Sequence, residues 1–449
     1  MLVLDFFKYK FGISYRIKEL TKMKKLILLI GCLISISAFP QGFNINGRFS
    51  SSVYSFERFD TTSLSGNYLT SFQMLNLNIN KDNVSLRSFM NYESDLGDNI
   101  DGGPMMRFYN LYLEVRNLFD IATIKIGRQP VFNNAAGGIF DGLNIDLKED
   151  DYKFNAYGGG NVPAYQKLEF TNDLKQNFIF GGKFSSDVIT DFQVTLSYID
   201  KNFQPESYWT TRLDAQLNPI QVLIENNSTQ YQFAFAEVAY DDSKDKLSVI
   251  TDYDYDLNFD QTSKVEIDGN YSPLNNLKID LYYNFSNPLI RYNSIFSVFD
   301  YGSSQDAEVG ADYIINKNIT LTGKFGDVVY QDANSARVTV GLSSNYGSLT
   351  YRKTFGYAGE LDALSLYWAY SFYQDLLTPS LGVSYTNYKL SPDPNQPTYD
   401  LTSVLAGINV RPLKTLSFDL QGQYMDNQIY RNDFRFFLKF NYWFNTNFN

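Results

Sequence analysis

The sequence contains no histidine, and its 449 residues include one cysteine, Cys32. Without imidazole there is no Ser-His-Asp triad, no histidine general base and no histidine-ligated metal or haem. Without a second cysteine there is no intramolecular disulfide, no thiolate zinc site and no iron–sulfur cluster. Tryptophan is scarce, at 3 residues, and only one long apolar run exists, Leu26–Phe39. That run is shorter than the roughly 20 residues a helix needs to cross a bilayer, so a helical membrane protein is excluded. The chain is not expected to be an enzyme. No catalytic residue, cofactor or metal ligand is assigned. The charge balance argues against nucleic acid as well. The first 41 residues hold 7 of the 38 basic and 2 of the 49 acidic residues, leaving a net charge of −16 on the rest. Such a surface repels a phosphate backbone.

The N-terminus has the pattern of a targeting segment. Met23-Lys24-Lys25 followed by Leu26–Phe39 gives the charged and apolar regions of a secretory signal peptide, and Ser35, Ser37 and Ala38 offer a cleavage site. The expected organisation is an upstream mis-start over 1–22, a signal peptide over 23–41 and one mature domain over 42–449. Leu29-Ile30-Gly31-Cys32 matches a lipoprotein box only loosely.

Tyrosine (35) and phenylalanine (37) are abundant, and they sit in a repeated pattern. From about Phe43 to Phe444, segments of roughly ten residues alternate apolar and polar side chains, the signature of strands with unlike faces. Leu277, Ile279, Leu281, Tyr283 and Phe285 alternate with Lys278, Asp280, Tyr282 and Asn284. In the last segment Phe434, Phe436, Leu438, Phe440, Tyr442 and Phe444 alternate with Arg435, Phe437, Lys439, Asn441 and Trp443. Short turns, such as Asn80–Asn83, Lys148–Asp151, Ser272–Asn276 and Asn316–Asn318, alternate with connectors that are often longer. The longer ones are Ser94–Pro104, Asn161–Lys175, Lys201–Ser228, Ser286–Ser304 and Lys389–Tyr399. This pattern predicts an all-β, single closed antiparallel up-and-down transmembrane β-barrel of about 22 strands (range 16–24). Tyr208 to Glu225 has room for an extra hairpin. Lipid demands closure, because every backbone N–H and C=O must find a partner inside the sheet. A soluble solenoid or propeller would need a repeat of 20–50 residues, which the sequence lacks.

With its signal peptide, alternating strands, turn and loop pattern and aromatic final strand, nearly all of the mature chain resembles bacterial outer-membrane β-barrel channels of the porin type. Ile124-Lys125-Ile126-Gly127-Arg128-Gln129-Pro130, followed by Asp141-Gly142-Leu143, is similar to a strand-and-loop pattern of alginate-export-like porin families. The resemblance implies the bacterial outer membrane as location and its lipid as environment. It also implies that Phe434, Phe436, Phe440, Tyr442 and Phe444 are a sorting strand read by the outer-membrane assembly machinery. Thr446-Asn447-Phe448-Asn449 follows, so the chain departs from the usual aromatic last residue. No plug domain is recognised before the first strand, unlike in the energy-coupled transporters.

The polar faces carry the functional expectation. Arg48, Arg87, Arg116, Lys125 or Arg128, Arg435 and Lys439 lie opposite apolar positions on the first, third, fourth, fifth and last strands. Closure would bring them into one basic arc lining the pore. Asp252, Asp254, Asp256, Glu266, Asp268 and Asp280 would form an acidic arc about half a barrel away. A field across the pore would then orient and filter small hydrophilic solutes by charge. Trp209 and Arg212 place the Lys201–Ser228 loop as the expected constriction. Asp95, Asp98 and Asp101 share one loop, but their spacing is not that of an EF-hand and they are read as solvated. The expected function is passive diffusion of small hydrophilic solutes. The alternative is a structural or partner-holding barrel, such as a sheath or assembly scaffold. The sequence leaves the solute and the oligomeric state open.

Overall fold

The computed structural model describes residues 42–448, apart from 62–63, 98–104, 133–135, 163–167, 169, 172–173, 205–206, 214–217, 225–228, 243, 245, 289–301, 331–332, 357–360, 390–392, 394, 396 and 429–430. The expected mis-start and signal peptide lie outside the described residues.

Strands account for nearly all the regular structure. They are β1 (Phe43–Thr61), β2 (Leu64–Lys81), β3 (Val84–Asp95), β4 (Met105–Leu118), β5 (Ala122–Val131), β6 (Gly138–Glu149), β7 (Tyr152–Val162) and β8 (Phe178–Ser186). There follow β9 (Phe192–Phe203), β10 (Tyr208–Leu213), β11 (Pro219–Ile224), β12 (Thr229–Asp241), β13 (Leu247–Asp256), β14 (Gln261–Leu274), β15 (Leu277–Ser286) and β16 (Ser304–Asn316). The last are β17 (Ile319–Tyr330), β18 (Ala333–Ser344), β19 (Gly347–Gly356), β20 (Leu361–Ala369), β21 (Leu377–Tyr388), β22 (Tyr399–Leu413), β23 (Leu416–Asn427) and β24 (Arg431–Phe448). Twenty-two of them form one sheet in which each strand pairs with its neighbours in sequence, β9 passes to β12, and β24 returns to β1. The sheet is therefore closed. β10 and β11 form a separate two-stranded hairpin, Tyr208 opposite Ile224, at the place where the sequence left room for one.

The chain divides into a barrel unit, Ile45–Thr446, and a small unit whose described residues are 42–44 and 447–448. In the small unit Gly42 N donates to Phe448 O (2.9 Å), and the Phe43 and Phe448 rings stack with centroids 4.7 Å apart.

The turns at the end of the barrel where β2 meets β3 are tight because their residues accept left-handed backbone. Asp82, Asn117, Asp120, Asp150 and Asp191 all have φ between 45° and 67°, a region that short polar side chains tolerate. Connections at the other end range from residues 62–63 to the 204–228 stretch that contains the hairpin. The contrast between the two ends is thus one of range rather than of uniform length.

Alternation assigns the faces. On β24, Phe434, Phe436, Leu438 and Tyr442 are exposed outward, while Asp433 and Asn441 are buried on the inner side. On β17, Leu321, Phe325 and Val329 are exposed outward, and Thr322, Lys324 and Gly326 take the inner positions. An apolar exterior over a fully paired backbone is the arrangement lipid requires. Towards the loop end, polar partners appear on the outer face. Tyr351 donates its hydroxyl to Asp362 (2.6 Å), which Lys353 also meets (3.2 Å), and Tyr385 donates to Asp400 (2.7 Å). Tyrosine at this level places an apolar ring below and a hydroxyl above, as interfacial aromatics do.

Candidate functional site: the lumen wall

Register and alternation place the expected acidic residues together. Asp252 faces Glu237 of β12 and Glu266 of β14, and Asp254 faces Phe235 and Lys264. Asp268 lies opposite Tyr282, and Asn270 opposite Asp280, so Asp252, Asp254, Asp256, Glu266, Asp268 and Asp280 share the inner face of β13–β15. Part of this wall is neutralised: Lys264 Nζ lies 3.0 Å from Glu266 Oε2, and Lys278 Nζ lies 3.0 Å from Asp280 Oδ1. Asp256 has a local role. Its Oδ1 accepts the backbone N–H groups of Asn258 (3.0 Å) and Phe259 (3.3 Å), which fixes the β13–β14 turn.

The acidic wall continues onto β16. Glu308 lies opposite Tyr282, Asp306 opposite Asn284 and Asp312 opposite Lys278, so β16 adds three inward carboxylates. Their own alternation, Asp306-x-Glu308-x-x-x-Asp312 against Ala307, Val309 and Ala311, was the available signal. Arg337 of β18 reaches back to Asp306 (3.0 Å) and Glu308 (2.9 Å), and Lys324 reaches Glu308 (3.3 Å), closing the arc on that side.

On the other side, Arg87, Arg116, Lys125, Arg435 and Lys439 occupy inward positions, as does Arg48, two residues before the inward Ser50 that donates to Asn441 (2.7 Å). Several are paired. Arg87 lies 3.2 Å from Glu114, Lys125 2.8 Å from Asp146 and Arg435 2.9 Å from Asp433. Arg116 Nη2 donates to Asp82 O (3.2 Å) and Ser85 Oγ (3.0 Å) at a turn. Arg107 belongs to this wall and was missed. Phe89 faces Asn110 but Met90 faces Phe108, which leaves Tyr109 as an extra residue. That bulge reverses the phase, so odd-numbered Arg107 joins even-numbered Glu114 on the inside. β14 is the twelfth barrel strand counted from β1, half-way round the 22.

Two expectations are corrected. Arg128 does not line the open pore. It lies opposite Asp141 and Leu111, on the face that carries Ile126 and Leu143. It is 3% exposed and forks onto Asp141, with Nε to Oδ1 and Nη2 to Oδ2 both at 2.8 Å. Thr171 N, from the β7–β8 connection, donates to the same carboxylate (3.0 Å). Gly127 has φ +130°, and a Cβ there would stand 2.4 Å from Leu111 O, so only glycine fits before this arginine. The second correction concerns the constriction. Trp209 is 67% exposed, not buried against a wall, and the Arg212 side chain lies outside the described residues. Described residues next to the β5–β6 connection do pack on the inner wall. Val131 and Ala136 join the buried cluster of Phe140, Tyr157, Ile179, Ile199 and Phe233, all on inward positions. Lys201 Nζ donates to Gly137 O (2.8 Å) and stands over the Tyr231 ring.

A closed sheet with an apolar exterior and an ionisable interior defines the class: a transmembrane β-barrel of the bacterial outer-membrane type. No known family model matches the chain, and no curated protein matches its sequence. Among solved structures it is similar to the translocation pore of the P pilus usher PapC (TM-score 0.46, 8% identity, covering 90% of this chain and 100% of that one). It is also similar to OccAB4 of Acinetobacter baumannii (TM-score 0.42, 10% identity, 91% and 99%) and to a BenF-like porin from Pseudomonas fluorescens Pf-5 (TM-score 0.41, 10% identity, 90% and 99%). At such identities and TM-scores the likeness does not extend to function.

Proposed function

We propose that the protein is a passive channel for small hydrophilic solutes, with a field across its lumen. The observation that carries this reading is the disposition of inward charge: carboxylates dominate β13–β16, and guanidinium and ammonium groups dominate β24, β1 and β3–β5. The two walls are unequally compensated. On the basic wall Arg87, Lys125 and Arg435 each have a carboxylate partner, whereas Asp254 and Asp268 take part in no ion pair within 4.0 Å among the described residues, and β16 adds three further carboxylates. The mean lumen potential is therefore negative, and the channel prefers cations. Single-channel recording in a planar bilayer under a KCl gradient tests this. The expected reversal potential favours K⁺; absence of conductance would refute the channel, and a Cl⁻ preference would refute the charge assignment.

The β5–β6 connection sets the narrow point in this reading. A 22-stranded barrel is wide; beside this connection Ala136 packs in the apolar cluster of the inner wall, and Gly137 O accepts from Lys201 Nζ. Lys201→Met removes the donor to Gly137 O while keeping much of the apolar stem. The expected result is a larger and noisier single-channel conductance with the barrel intact. A conductance identical in size and noise to that of the unaltered protein would place the narrow point elsewhere.

A further inference from the structure

Asp252, Asp254 and Asp256 project from alternate positions of β13, about 7 Å apart along the strand. Asp254 is 2% exposed, and its Oδ1 has no hydrogen-bond partner among the described residues. Its register partners are Phe235, 7% exposed, and Lys264. Lys264 is engaged with Glu266 at 3.0 Å. Glu266 faces Asp252 across the ladder and also accepts the Tyr282 hydroxyl (3.2 Å). A carboxylate withdrawn from bulk water without a donor is costly until a donor or cation meets it. The acidic residues do not converge closely enough to hold a metal ion among the described residues. An ammonium group needs no such convergence. It carries three N–H donors, and an alkyl chain attached to it tolerates Phe235 alongside.

We propose that Asp254, flanked by Asp252 and Glu266, is a docking site on the lumen wall for organic cations with primary ammonium groups. The repeat of carboxylates along β13 fits a short linear diamine, whose two ammonium groups stand about as far apart as alternate strand residues. The site rests on the channel reading for the route by which a solute reaches it. Its ligand preference rests on the local geometry.

The test is isothermal titration of the purified full chain in detergent with 1,5-diaminopentane, and with 1-aminopentane for comparison. Saturable binding is expected, at least tenfold tighter for the diamine. Asp254→Asn should weaken diamine binding at least tenfold, while Asp362→Asn, on the outer face, should leave it unchanged. Glu266→Gln gives an independent readout, because it releases Lys264 to pair with Asp254 and so should also weaken binding. Heat-modifiable electrophoretic mobility reports whether each variant is folded; if Asp254→Asn is not, Glu266→Gln decides alone. Diamine and monoamine binding equally, or a folded Asp254→Asn or Glu266→Gln variant binding as the unaltered chain does, would overturn the proposal. Binding is read without conduction, so a barrel that conducts but does not bind refutes the site alone, and one that binds but does not conduct refutes the channel alone.

Discussion

Removal of Phe434–Asn449 is expected to abolish assembly, with no folded barrel recovered from the outer membrane. β24 pairs with β23 from Leu416–Tyr442 to Asn427–Arg431 and closes the sheet against β1. Its loss would open two strand edges at once. In water such edges template aggregation, and in lipid each unpaired N–H and C=O costs several kcal/mol. The same deletion takes away the outward aromatic row of Phe434, Phe436, Phe440, Tyr442 and Phe444, which we propose as the sorting signal. Replacing Phe436 and Tyr442 by serine separates the two effects, because the ladder is kept while the row is broken. Membrane fractionation and heat-modifiable mobility measure both. Normal amounts of inserted protein after the deletion would remove any need for β24 in closure.

Arg128→Ala is expected to destabilise the barrel by about 3–5 kcal/mol, the usual cost of leaving one member of a buried ion pair behind. Asp141 would lose both hydrogen bonds of the fork and keep only the one from Thr171 N. The loss should appear as a lower midpoint in urea unfolding from detergent micelles. Ion selectivity should hardly change, because the guanidinium does not face the pore. A shift in reversal potential without a loss of stability would return Arg128 to the lumen.

The fate of Arg128 illustrates what a single sequence can convey. The alternation over Leu277–Ser286 and Phe434–Phe444 was readable because a pleated strand repeats every two residues, and the turns were readable because Asp and Asn accept left-handed backbone. Together these brought out the closed barrel and the inner faces of β13–β15. Phase is lost wherever the ladder slips. The extra residue at Tyr109 hid Arg107, and nothing near Arg128 told whether it or Lys125 faced inward until the register with β6 was known. Burial by distant segments is equally silent. The inner cluster draws on β5, β6, β7, β8, β9 and β12, so no local pattern announced that Val131 and Ala136 join it. The carboxylates of β16 are a different case, since their alternation is legible in the sequence itself.

The outer pairs of Tyr351 with Asp362 and Tyr385 with Asp400 have a mechanical consequence. A carboxylate cannot sink into hydrocarbon without its hydroxyl partner and the water above it, and the ring below cannot rise far out of the lipid without exposing its apolar edge. Each pair therefore resists vertical displacement in both directions. Together they moor the loop end of the barrel at one depth, so thermal bobbing and tilting should be smaller on that side than at the end of the tight turns.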